Sequence, residues 1–112
     1  MQEEPTVLLI TSEPSHKLMY QNGLAKQFCV EFATQPTLGS DDVDAIVYDI
    51  PSVHETLDIS WLRRVELPVV VLTPEARLRV ANGPRCRILT YPVRPEQIVK
   101  ALAELGVEGQ TE

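Results

Sequence analysis

Long apolar runs are missing from this 112-residue chain. No stretch approaches the roughly 18 residues of a membrane span, and Met1-Gln2-Glu3-Glu4 has neither the basic start nor the apolar stretch of a signal peptide. A soluble, cytoplasmic protein is expected. Basic charge is also short: 10 Lys and Arg against 16 Asp and Glu give a formal net charge of −6. Apart from Arg63-Arg64 the basic residues are scattered. Phosphate backbones and anionic membrane surfaces reward clustered cations, so neither nucleic acid nor a membrane is an expected partner. Two cysteines, Cys29 and Cys86, each lie in an apolar stretch and form no C-x-x-C pair. Reduced core thiols are the expected state, with a disulfide or ligand pair as the alternative. The chain also lacks a G-x-G-x-x-G segment, a Walker loop and a nucleophile elbow, so an enzyme is not expected. There is no internal repeat, low-complexity segment or linker.

What remains is 44% apolar and short enough for one domain. A chain of this size buries roughly two-thirds of its unfolded surface, so no metal or disulfide staple is needed. We place a single domain over 1–112, with its core at about 5–106 and a disordered tail from 107 to 112. Five apolar, β-branched runs recur: Val7 to Ile10, Cys29 to Phe32, Ala45 to Tyr48, Val69 to Leu72, and Ile88-Leu89. They read as strands. Val30-Glu31-Phe32 alternates as an edge strand does, whereas the runs at 7, 45 and 69 read as covered on both faces.

Helical patterns lie between the strands. Pro14 opens one in which Leu18, Met19, Leu24, Ala25 and Phe28 can share a face. Ser52-Val53-His54-Glu55 is a capping box leading into Leu57, Trp61 and Val65. Thr73-Pro74-Glu75 starts a short helix that Gly83 after Asn82 can stop. Pro95 opens the last, with Ile98, Leu102 and Leu105 as its buried stripe and Gly106 as its end. Only Thr34 to Asp44 separates the second and third strands, leaving room for a turn or a single helical turn. Alternation of this kind specifies an α/β fold, a doubly wound parallel sheet with helices on both faces.

In such a sheet, ligands gather at the carboxyl ends of the strands. The residues there are Thr11-Ser12-Glu13, Asp49, Thr73 and Tyr91-Pro92. Val-Leu-Leu-Ile-Thr-Ser-Glu-Pro at 7–14, Asp44-Ala-Ile-Val-Tyr-Asp49, Val-Val-Val-Leu-Thr73-Pro and Ile88-Leu-Thr-Tyr91-Pro92 follow one another in order. Over essentially the whole chain this resembles the receiver domains of response regulators, as an atypical or pseudo-receiver member.

The resemblance implies a flavodoxin-like (CheY-like) five-stranded sheet of order 2-1-3-4-5, here with the second helix reduced or absent. It makes Asp49 the phosphoacceptor position and Thr73 the switch hydroxyl. Thr11 and Ser12 stand where the family has two acids, Tyr91 where it has a lysine, and Pro92 at its usually cis proline. Ile88 replaces the family's switching aromatic. Charge on a phosphoryl group must be offset, in this family by Mg²⁺ and the lysine. A hard cation wants anionic oxygens, and a phenol is neutral near pH 7. No cofactor is therefore expected, nor is Mg²⁺ binding.

The implied function is that of a two-component or phosphorelay signalling domain that binds a kinase, effector or regulator. The contact face is that of the fourth helix, fifth strand and fifth helix, where Arg77, Arg79, Arg85, Arg87 and Arg94 cluster; it is also the face of a possible homodimer. The alternatives are a working phosphoacceptor using Asp49 with Glu13 as helper, and a nucleotide or flavin sensor of the same fold. His16 and His54 lack ligand spacing and read as surface histidines, and Trp61 reads as core.

Overall fold

The computed structural model describes residues 4–37, 42–50, 61, 64–74 and 85–109. Along the chain run β1 (Thr6–Ile10), α1 (Pro14–Leu24), β2 (Cys29–Ala33), β3 (Ala45–Asp49), β4 (Val69–Thr73), β5 (Cys86–Thr90) and α2 (Pro95–Glu104). All five strands are parallel, in the order β2-β1-β3-β4-β5. This is the flavodoxin-like topology expected from the sequence, with β2 at an edge.

β1, β3 and β4 are buried on both faces, and period-two alternation sorts their side chains into two cores. Val7, Leu9, Ala45, Val47, Val70 and Leu72 join Tyr20, Leu24 and Phe28 from the α1 region and Ile98, Ala101 and Leu102 from α2. Leu8, Ile10, Ile46, Tyr48, Val69 and Val71 form the opposite core with Val43, Ile50 and Trp61. Trp61 meets Tyr48 edge to face at 5.2 Å, so it is a core residue.

Several expectations change. Leu18 and Met19 are 61% and 44% exposed and Ala25 is also exposed; Leu24 and Phe28 are buried as expected, and Tyr20 completes the buried stripe of α1. Cys29 is exposed and Cys86 half-buried, and both are free. They open β2 and β5, the two edge strands, which separates them by three strands and removes the disulfide alternative. Burial raises the Cys86 thiol to about 11, partly opposed by Arg87. β5 starts two residues before the apolar pair that marks it, because Arg87 interrupts the hydrophobic signal while still pairing with Val70.

Gly106, at φ +90°, ends the last helix as expected. The chain beyond it is not loose at once: Val107 donates its N–H to Leu102 O at 2.8 Å and packs on the first core. Between β2 and β3, residues 34–37 and 42–44 contain no helix. The capping box at 52–55, His54, Leu57, Arg63, Arg77, Arg79, Asn82 and Gly83 lie outside the described residues.

Candidate functional site

The sheet order reverses direction between β1 and β3, and this switch point is where an open α/β sheet leaves a crevice. Thr11 follows the end of β1 and Asp49 ends β3, so these two residues flank the crevice. Both are buried, Asp49 to 1% relative exposure. The ladder puts Asp49 beside Leu72. Thr73 therefore stands one residue further along β4 and on the alternate face of the sheet. It is buried, and its carbonyl accepts the Tyr91 N–H at 3.0 Å, which anchors Tyr91 at the same end of the sheet. The Tyr91–Pro92 peptide bond is cis.

Thr11 links two elements. Its hydroxyl oxygen accepts the Glu13 N–H at 3.1 Å and its O–H donates to Asp49 Oδ2 at 2.7 Å. The same Oδ2 lies 2.9 Å from His16 Nδ1. A carboxylate only accepts, so the imidazole donates. The Tyr91 hydroxyl stands 3.4 Å from that nitrogen, a longer second contact for the N–H. The rings of Tyr91 and Tyr20 flank the imidazole, with centroids at 5.5 and 5.8 Å.

His16 is therefore not the simple surface histidine expected from its sequence context. It occupies the first turn of α1, over the β1–β3 crevice, with its side chain 26% exposed against 0% for Asp49. The signal that could have found it is positional: a histidine in the first turn after β1 of a doubly wound sheet hangs over the strand ends.

Glu13 and Ser12 complete the β1–α1 junction. Glu13 caps α1, its carboxylate accepting the Ser15 N–H at 3.2 Å and the Ser15 hydroxyl at 3.0 Å. These bonds, with His16 nearby, hold its carboxyl below the usual range. Ser12 is exposed. Neither residue adds an anionic oxygen to Asp49 in this arrangement.

Mg²⁺ needs several oxygen ligands in near-octahedral array, usually including carboxylates. Here the Thr11 hydroxyl points its proton at Asp49, Glu13 is turned to the helix end, and an imidazole N–H occupies Oδ2. Among the described residues this donor set does not fit the ion. Among the described residues no group of three or more His, Cys, Asp or Glu side chains could hold a metal.

Burial, and then the negative charge of Asp49, raises the Tyr20 phenol from 10.0 to about 12. The folded state thus favours the protonated phenol. Its stabilising contribution is complete below pH 10 and is lost as pH rises toward 12, in all about 3 kcal/mol. Denaturant melts at pH 9.5 and 12 will show this loss, with the Cys86 thiol adding a decline that begins near pH 9. Tyr20→Phe will remove the steep part of the alkaline decline. Tyrosinate absorbance will show a late-titrating component that is missing in Tyr20→Phe.

Of the basic residues expected on a contact face, Arg87 is half-buried with its guanidinium donating to Cys86 O at 3.1 Å, and Arg85 donates to Glu66 O. Arg94 is exposed at the start of α2, where its N–H donates to Gln97 Oε1 at 2.7 Å. Ile88 is partly buried against the second core.

The parallel 2-1-3-4-5 sheet is a flavodoxin-like fold of the kind seen in response regulator receivers. The solved structures it matches bear this out. A response regulator receiver protein from Sinorhizobium medicae superposes at TM-score 0.74 with 23% identity, covering 92% of this chain and 94% of that chain. A chemotaxis response regulator of Vibrio cholerae gives 0.66 with 19% identity, over 92% and 99%. An adenylate cyclase from Rhodopirellula baltica gives 0.71 with 14% identity, over 93% and 89%. In sequence, the chain matches no family model and no curated protein.

Proposed function

We propose that this chain is a pseudo-receiver: a cytoplasmic receiver domain of a two-component or phosphorelay-type system that signals through protein contact, without Mg²⁺-dependent phosphorylation of Asp49. The observation that carries this reading is the internal occupation of the aspartate. Its Oδ2 already accepts from Thr11 and His16, and its side chain is fully buried. In the receivers that the chain resembles, the corresponding carboxylate faces Mg²⁺ and a lysine. Here a threonine hydroxyl and an imidazole meet it, with the Tyr91 phenol beyond the imidazole.

Glu13 speaks against the working-acceptor alternative, because its carboxylate serves α1 and not the crevice. The domain is non-enzymatic in this reading, and the partner is a kinase, effector or regulator with an acidic surface complementary to exposed arginines such as Arg94. No helix among the described residues is long and apolar enough to cross a membrane. The test is addition of Mg²⁺ with beryllofluoride, a phosphoryl mimic, followed by amide NMR. The expected result is an unchanged spectrum at Asp49 and Thr73.

A further inference from the structure

Asp49 and His16 share one hydrogen bond but not one exposure. The carboxylate is sealed, whereas the imidazole is 26% exposed. A reagent from solvent therefore meets the ring first. Donation from Nδ1 to Asp49 fixes the tautomer of the neutral ring and leaves the lone pair on Nε2. Thr11 holds the acid in turn: the Glu13 N–H binds its oxygen, so its own proton is directed at Oδ2. The rings of Tyr20 and Tyr91 contact the imidazole edge-on and tilted, respectively. An acid oriented by a second donor, which itself orients an imidazole, is the arrangement that makes a histidine nucleophilic.

We propose that His16 Nε2 is a modification site that accepts a phosphoryl group from small N-phosphoryl compounds. The proposal rests on the reading of Asp49 as a non-acceptor. With zwitterionic phosphoramidate as donor, the Nε2 lone pair attacks phosphorus and the Nε2–P bond forms. The donor's P–N bond breaks, and its nitrogen departs as ammonia with the three protons it already carries. The positive charge left on the ring is offset through Nδ1–H by Asp49. No metal or further reactant enters the balance. Glu13, the other carboxylate near the ring, is tied to Ser15.

The test is incubation of the full chain with phosphoramidate, followed by intact mass, phosphorus NMR and peptide mapping. The chain's other histidine, His54, serves as internal reference. The expected result is one adduct on His16, stable to alkali and hydroxylamine and lost in acid, formed at least tenfold faster than any on His54. It is absent in His16→Gln and at least tenfold slower in Asp49→Asn, with both variants checked for folding by circular dichroism. No adduct, or equal labelling of the two histidines, overturns this proposal and leaves the pseudo-receiver reading standing. A hydroxylamine-labile adduct on Asp49 overturns both.

Discussion

Gly23→Ala will destabilise the protein by about 1–3 kcal/mol, although alanine is the better helix former by about 1 kcal/mol. Gly23 lies one residue from the end of α1, where that helix packs on the start of α2. A Cβ at this position falls within contact distance of both Cβ and Cγ of Pro95. The pyrrolidine ring is rigid and opens the second helix, so neither side yields cheaply. Denaturant melts of Gly23→Ala, Pro95→Gly and the double variant give the decisive comparison. The double variant will lose less than the sum of the singles, because removing the ring makes room for the methyl group. A stabilised Gly23→Ala protein contradicts the helix contact.

Leu24→Ala will cost about 2–5 kcal/mol, the range of a large-to-small change in a closed core. Leu18→Ala and Met19→Ala will each stay within about 0.5 kcal/mol, as exposed sites do. Leu24 is fully buried, whereas the other two face solvent. Equal losses at the three positions contradict this assignment of the helix face. Leu18 and Met19 lie roughly 120° and 140° around the helix from Leu24, against about 40° for Tyr20. Hydrophobicity alone favours the leucine and methionine. The angle selects the tyrosine, whose ring lies in the core and extends to the Asp49–His16 pair.

The same contrast runs through the rest of the molecule. The three inner strands are legible because continuous apolar runs have few other uses in a short chain, and their order is what the family resemblance implies. Edges are harder to read. Arg87 lies within β5 and Cys29 opens β2 while exposed, because an edge strand's residues are only partly covered and hydropathy no longer marks them.

At the site, Thr11 and Asp49 are legible as strand ends. His16 is not, because its bond to Asp49 spans 33 residues and depends on how α1 crosses the sheet. Sequence position leaves open whether Glu13 turns inward as a ligand or outward as a cap. In the structure Ser15 offers it both an N–H and a hydroxyl, and the cap is formed. Among the described residues these two contacts leave one buried carboxylate beside one imidazole.

In the proposed reading Asp49 is closed to metal-assisted phosphoryl chemistry by its own neighbours. Titration of the full chain with Mg²⁺ and beryllofluoride, read by amide NMR, tests it most directly. The predicted result is no saturable shift at Thr11, Asp49, Thr73 or Tyr91 at millimolar Mg²⁺. Saturable shifts centred on Asp49 and Thr73 that vanish in Asp49→Asn would contradict it.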